Sequence, residues 1–80
     1  MIHTIFFDET DSPTILESDE VRHSIHYQSD SGEQYDRRVV PRAASWMSGP
    51  VQPSYYFASV NPVSNHLFKQ SVEKLNPIPV

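Results

Sequence analysis

Two segments of the chain are apolar at nearly every position. Residues 2–7 are mostly β-branched and aromatic and contain no Gly or Pro, and residues 54–60 have a similar character, so both segments predict strands. A strand with one wet face alternates apolar and polar residues, whereas a strand buried on both faces does not. We therefore expect both strands to be covered on each of their faces.

Clear alternation of apolar and polar residues lies between these segments. Residues 21–29 and residues 33–40 each alternate with a period of two, and the turn sequence that joins them ends at Gly32, which can adopt a positive φ. This pattern predicts an antiparallel hairpin. Residues 14–16 have a weaker pattern, which fits either a short edge strand or a helical turn that begins at Pro13.

The second half of the chain predicts a helix in two places. Asn61 is a favourable cap and Pro62 suits the first helical position, and the apolar residues that follow recur at the helical period. These signals predict an amphipathic helix over 62–75. Pro41 is expected to end the strand before it, because proline cannot donate to a strand ladder, and residues 42–48 are expected to form a short helix.

Together these elements predict one small α+β domain over residues 1–80: an antiparallel sheet of three to four strands with one C-terminal amphipathic helix. A single helix covers only one face of a sheet. We expect the other face to be covered either by residues 41–53, which carry Trp46, Met47 and Val51, or by a second chain. Burial of one large side chain contributes about 1.5–3 kcal/mol, so several exposed aromatic residues would favour association.

Composition and charge exclude several classes of protein. The 80 residues contain no Cys, which excludes disulfides and thiolate metal sites. The formal net charge of −4 argues against direct nucleic-acid binding. Residues 1–20 carry six carboxylates and no Lys or Arg. No apolar run approaches the roughly 20 residues that span a membrane, and no signal peptide is recognisable, so we expect a cytoplasmic protein.

The chain contains residues that can bind metals or catalyse reactions, but not at the spacing that those functions need. His23 and His26 are three apart in a predicted strand, so they point to opposite faces and do not chelate one ion. The segment that carries Asp8, Glu9 and Asp11 lacks the glycine and the distal glutamate of a calcium loop. We predict no metal, no cofactor and no catalytic site.

We therefore expect a small acidic protein-binding module without enzymatic activity. Chains of this kind are used by phages and mobile elements as inhibitors that occlude a larger host enzyme or defence complex, including complexes that process nucleic acid. The expected contact residues are aromatic and basic side chains between residues 37 and 56 together with acidic residues near the start: Arg37, Arg38, Arg42, Trp46, Tyr55, Tyr56, Asp8, Glu9 and Asp11.

The sequence also allows two other functions. The first is a self-associating assembly protein whose aromatic faces pair in a homodimer. The second is a small ribonuclease that would use His26, Tyr35 and Arg37, although an acidic chain disfavours a polyanionic substrate. The acidic residues of 8–20 either form a docking surface for a basic partner, in the strongest form as a mimic of nucleic-acid phosphates, or only keep the surface hydrated.

Overall fold

The structure, a computed structural model that describes residues 1–80, contains six strands and one C-terminal helix. Four strands form one sheet and the other two form a separate hairpin. The predicted α+β class is confirmed and the predicted three to four strands match the main sheet roughly, but the hairpin lies outside that sheet. In chain order the elements are β1 (Ile2–Phe7), β2 (Pro13–Ser18), β3 (Ser24–Gln28), β4 (Gln34–Arg38), β5 (Val40–Ala43), β6 (Ser54–Ser59) and α1 (Asn65–Leu75).

The main sheet has the strand order β2-β1-β6-β5 and is mixed rather than antiparallel. Its outer pairs, β1 with β2 and β5 with β6, are antiparallel. The central pair is parallel, with Ile5 opposite Phe57, so the prediction of an antiparallel sheet is wrong at its centre. Parallel neighbours need a long crossover, and the chain between β1 and β6 supplies one that contains the whole hairpin.

One face of the main sheet packs against α1. Ile5 and Phe7 of β1 and Tyr55 of β6 meet Phe68 and Val72 of the helix, and all five side chains are buried. The ring of Phe68 packs edge-on against the ring of Tyr55, with the two centroids 6.4 Å apart. The amphipathic face predicted for the helix therefore packs on the sheet as expected.

The other face of the main sheet is covered by the β3–β4 hairpin. Phe6 and Ala58 of the sheet are buried against Ile25 of β3 and Val39, the residue that joins β4 to β5. Both covers proposed from the sequence, residues 41–53 and a second chain, are therefore wrong. The alternation in the hairpin marks a small apolar face of its own, and that face packs on the strands that are apolar on both sides.

The helix begins later than its sequence suggests. Ser64, not Asn61, is the N-cap, and its side chain accepts a hydrogen bond from the backbone N–H of Leu67 at 3.1 Å. The Asn61 amide instead donates to the carbonyl oxygen of Glu9 at 3.2 Å, so it ties the segment before the helix to the β1–β2 turn. The predicted start at residue 62 is therefore three residues early.

The helix predicted over 42–48 is not present. Residues Val40–Ala43 form β5 at the edge of the main sheet, and the residues after it form a loop. Pro41 lies within β5, where the edge position tolerates its missing N–H. The loop places Trp46 against Phe68 on the helix-covered face, with the two ring centroids 5.7 Å apart.

Candidate functional site

Two of the predicted contact residues lie in or against the core. Tyr55 is only 7 % exposed and packs in the cluster between the sheet and α1. Trp46 is half-buried and packs edge-on against Phe68 in the same cluster. Most of the aromatic surface of these two residues is therefore used within the chain.

Arg42 joins β5 to the start of the helix. Its guanidinium donates to the carbonyl oxygen of Val63 at 2.9 Å and to the side-chain oxygen of Asn65 at 2.6 Å. The same group lies over two aromatic rings, 5.3 Å from the centroid of Phe57 and 4.7 Å from that of Phe68. The guanidinium thus binds the start of the helix and lies beside two core rings, so Arg42 acts as a clamp within the fold.

The other two predicted arginines differ in their surroundings. Arg37 is half-buried, donates to the carbonyl oxygen of Val60 at 3.3 Å and lies 5.2 Å above the ring of Tyr35. Arg38 is exposed and forms no ion pair.

The predicted residues of β5 and β6 lie on both faces of the main sheet. Arg42 is opposite Tyr55 on the helix-covered face, whereas Tyr56 lies on the other face. The predicted basic and aromatic residues therefore do not form one surface.

The carboxylate of Asp8 organises the β1–β2 turn. It accepts hydrogen bonds from the Thr10 hydroxyl at 2.6 Å, the Thr10 N–H at 2.8 Å and the Ser12 N–H at 3.0 Å. These hydrogen bonds, the one from the Thr10 hydroxyl above all, lower the pKa of Asp8 below its ordinary value. Asp11 follows with a positive φ of 60° and is exposed. Asp8 therefore has a structural role in the turn.

Glu9 connects the same turn to the hairpin. Its carboxylate lies beside the hydroxyl of Tyr27 and, mainly through hydrogen bonding, raises the pKa of Tyr27 to about 12. Glu9 Oε2 is buried and makes no hydrogen bond within 3.5 Å. Tyr27 stacks on Tyr35 with centroids 6.3 Å apart, and the Tyr35 hydroxyl donates to Glu33, which raises the pKa of Tyr35. The Glu9 carboxylate therefore lies where the β1–β2 turn meets the hairpin.

The residues that a ribonuclease would need meet only in part, since His26 and Tyr35 line one concavity while Arg37 points away from His26. His26 Nδ1 lies 3.4 Å from Asp36 Oδ1 across the hairpin, and both side chains are largely exposed. Arg37 projects from the opposite side of β4 toward Val60. The largest concavity, of about 530 Å³, lies over this part of the hairpin and is lined by His26, Tyr27, Gln28, Gln34, Tyr35 and Asp36. No group of three or more metal-ligating side chains occurs in the structure.

An apolar groove of about 200 Å³ lies at the end of the main sheet where the parallel strands β1 and β6 begin. Four of its large apolar residues are exposed, by fractions between 41 % for Val21 and 72 % for Met1. We call it the strand-end groove; it is lined by Met1, Ile2, His3, Val21, Tyr56, Ile78, Pro79 and Val80. Of the nine predicted contact residues, only Tyr56 lines it.

One wall of the strand-end groove is the segment after the helix. The Ile78 N–H donates to His3 Nδ1 at 3.0 Å, and the Val80 N–H donates to the Ser54 carbonyl oxygen at 2.7 Å. A neutral imidazole that accepts a hydrogen bond at Nδ1 carries its proton on Nε2. In His3 this Nε2 atom lies 3.5 Å from Glu17 Oε1. His3 therefore connects the groove wall to a carboxylate at its margin.

Carboxylates flank the strand-end groove on one side. A second concavity, of about 250 Å³, is lined by Met1, Glu17, Ser18 and Asp19. Met1 lines both concavities, so the apolar groove lies next to an acidic one. Of the acidic residues near the start of the chain, Glu17 and Asp19 are the ones that line this second concavity.

The groove had little signal in the sequence. Val21 looks like one position of an alternating strand, and Ile78 looks like part of an extended tail. Their proximity depends on the parallel pairing of β1 with β6 and on the path of the chain after α1. Only the apolar character of residues 78–80 after the helix indicates that this segment packs on something.

Comparison of the chain with known protein families, with curated proteins and with solved structures gave no match. The single helix is too short and too polar to cross a membrane. The function of this chain is therefore inferred from the geometry of the strand-end groove and of the surfaces beside it.

Proposed function

We propose that this chain is a non-enzymatic protein-binding module whose strand-end groove receives part of a larger partner, and that it acts by occluding that partner, as inhibitors from phages and mobile elements do. The observation that carries the proposal is the cluster of exposed aliphatic side chains around one concave site, Val21 and Ile78 among them. Contiguous apolar surface of this kind on a small protein is typical of interaction sites.

The size of the groove favours a side chain of a partner over a small-molecule ligand. Cofactor and substrate sites usually measure about 300–1,000 Å³. At about 200 Å³ the strand-end groove is smaller, and it is close to the roughly 150 Å³ of a cavity that accepts one benzene molecule. One or two aliphatic or aromatic side chains would fill it.

The rest of the fold also favours the groove over the faces of the sheet. Both faces of the main sheet are covered by the chain itself, by α1 on one side and by the β3–β4 hairpin on the other. Arg42, Trp46 and Tyr55, which resemble an interface when read from the sequence, are engaged in internal contacts. The strand-end groove is an apolar concavity that the fold leaves open.

The proposal is tested by crosslinking the tagged full chain to its partners in the cells where it occurs, followed by mass spectrometry. We expect one dominant partner, and we expect the double variant Val21→Asp with Ile78→Asp to reduce its recovery at least tenfold. Met47→Asp with Val51→Asp is the matched control, because it adds the same charge at two exposed apolar residues that lie outside the groove. Equal recovery with the groove variant and with the control would refute the proposal.

A further inference from the structure

We infer that the strand-end groove binds an extended segment of a partner protein in which an apolar side chain is flanked by Lys or Arg. This inference rests on the proposed function and specifies the chemistry of the partner. Its basis is the position of the acidic concavity next to the apolar groove, since Met1 lines both.

The distances along an extended peptide suit this arrangement. Successive residues of an extended chain are about 3.3–3.6 Å apart, so neighbours of a residue seated in the groove lie within a few ångströms of its margin. On the acidic side that margin presents Glu17 and Asp19. A Lys or Arg beside the seated residue would meet these carboxylates. The cationic groups near this margin are the α-ammonium group of Met1 and the side chain of Arg22, and the carboxylates of Glu17, Asp19 and Glu20 outnumber them.

Glu17 is restrained toward the groove before any ligand arrives. Its carboxylate oxygen lies 3.5 Å from His3 Nε2, and the His3 ring is held in turn by the Ile78 N–H on its other nitrogen. The His3 side chain is 13 % exposed, so its orientation is fixed by packing as well. A charge that is already positioned loses less conformational freedom when a cation binds, which favours recognition of a basic group.

A second copy of this chain is a less suitable occupant. A twofold contact uses the same surface of both subunits, and neither concavity has a lysine or an arginine among its lining residues. Contact through the strand-end groove would therefore leave Glu17 and Asp19 without a Lys or Arg partner from the other groove, whereas a basic heterologous segment supplies one.

The test uses four six-residue peptides, blocked at both ends, added to the ¹⁵N-labelled full chain. The two central residues are both leucine or both serine, and the two residues on each side are lysine or glutamate. We expect the lysine–leucine peptide to shift the amide signals of Val21, Tyr56 and Ile78, and to bind at least tenfold more tightly than each of the other three. We also expect its affinity to fall as salt is added, since exposed charges are screened.

Charge reversal provides the matched variants. Glu17→Lys with Asp19→Lys is expected to reverse the preference, so that the glutamate–leucine peptide binds at least tenfold more tightly than the lysine–leucine peptide. Asp30→Lys with Glu73→Lys changes the net charge by the same amount at exposed positions outside the groove, and is expected to retain the original preference. Dispersed amide spectra establish that each variant is folded.

Three results would overturn the inference: equal binding of the two leucine peptides, absence of any shift at the groove signals, and concentration-dependent shifts at those signals without peptide, which would indicate a second copy. The first two are separable from the proposed function. If the groove variants lose the cellular partner while the peptides show no basic preference, the partner chemistry fails and the binding role stands. If the groove variants retain the partner, the proposed function fails.

Discussion

Replacement of Arg42 separates a role in the fold from a role at an interface. The residue is of the type that is enriched at protein interfaces, yet its guanidinium binds the Val63 carbonyl and the Asn65 side chain and lies over the rings of Phe57 and Phe68. If these contacts hold α1 on the sheet, Arg42→Ala destabilises the chain itself. If the side chain serves only an external partner, its removal leaves stability unchanged.

The expected loss follows from the contacts. Hydrogen bonds with one charged partner contribute about 1.5–3 kcal/mol each, and a cation–π contact at a partly exposed site contributes about 0.5–1 kcal/mol. The contacts share one guanidinium and Arg42 is only half-buried, so their contributions do not add in full. We expect Arg42→Ala to lower the free energy of unfolding by about 2–4 kcal/mol. A chain of this size has about 4–12 kcal/mol in total.

Urea unfolding is the assay, followed by circular dichroism for the helix and by fluorescence of Trp46, the single tryptophan. Agreement of the two probes establishes a two-state transition, and a loss of 2–4 kcal/mol corresponds to a fall of at least about 8 °C in Tm. Arg42→Lys is expected to recover only part of the loss, because lysine keeps the charge but lacks the planar group with several donors.

Arg38→Ala is the matched control, since Arg38 is exposed and forms no ion pair; its expected change is below about 0.5 kcal/mol. The reasoning is refuted if Arg42→Ala and Arg38→Ala destabilise equally. Full recovery of stability in Arg42→Lys would contradict the account of the hydrogen bonds and ring contacts in particular.

Three further predictions concern the core and the titrating groups. Phe68→Ala should cost about 3–5 kcal/mol in urea unfolding, because the side chain is fully buried among other rings, whereas Val51→Ser at an exposed position should change stability by less than about 0.5 kcal/mol. Because the pKa of Asp8 is lowered in the folded chain, its carboxylate contributes stability at pH values above the pKa of an unfolded aspartate. That contribution is lost as pH falls through the folded pKa. At acidic pH the stability of Asp8→Asn should therefore depend less on pH than that of the unsubstituted chain. The pKa of Tyr27 is raised to about 12 in the folded chain, whereas an unfolded tyrosine has a pKa of about 10. Between these two pH values the unfolded chain loses the tyrosine proton and the folded chain keeps it, so the free energy of unfolding should fall as pH rises. Alkaline unfolding curves of Tyr27→Phe that match those of the unsubstituted chain would contradict this assignment.

The sequence predicted the elements better than their arrangement. The strands at 2–7 and 54–60 are recognisable because apolar residues occupy both of their faces, and the structure covers both faces. The hairpin is recognisable by its alternation, yet its packing on the second face of the sheet is not. Local alternation indicates that one face is buried and does not say against which strand, since that depends on contacts between distant segments.

Competition between neighbouring caps explains the error at the helix start. Asn61-Pro62 and Ser64 are all favourable at a helix N-terminus, and the local sequence does not rank them. The choice is made by a contact remote in sequence, the hydrogen bond from Asn61 to the Glu9 carbonyl, which holds Asn61 outside the helix. At Pro41 the missing information is of the same kind, because proline is tolerated in β5 only at the edge of the sheet.

The candidate site was the least predictable part for the same physical reason. Of the contact residues predicted from residue type, Tyr56 lines the strand-end groove and Arg42 packs on internal rings. The sequence does not separate the two cases, because an arginine that packs on internal rings has the same local sequence as one that faces a partner. The strand-end groove combines the start of β1, the segment that carries Val21, the start of β6 and the segment after α1. Four segments distant in the chain meet there, so no local pattern could have indicated the site.

Because separate segments form the strand-end groove, binding there depends on how stably the segment after α1 is held in place. The segment after α1 is attached there through backbone hydrogen bonds of Ile78 and Val80, outside any strand or helix. Short segments held in this way open locally at lower free energy than the core. A partner that contacts Ile78 binds only the closed segment, so it must slow hydrogen exchange of the Ile78 and Val80 amides, by about 100-fold when its free concentration is 100 times its Kd. An amide in β1, such as that of Ile5, reports larger openings of the sheet, so before any partner is added it should exchange more slowly than these two if the segment opens independently of the rest of the fold.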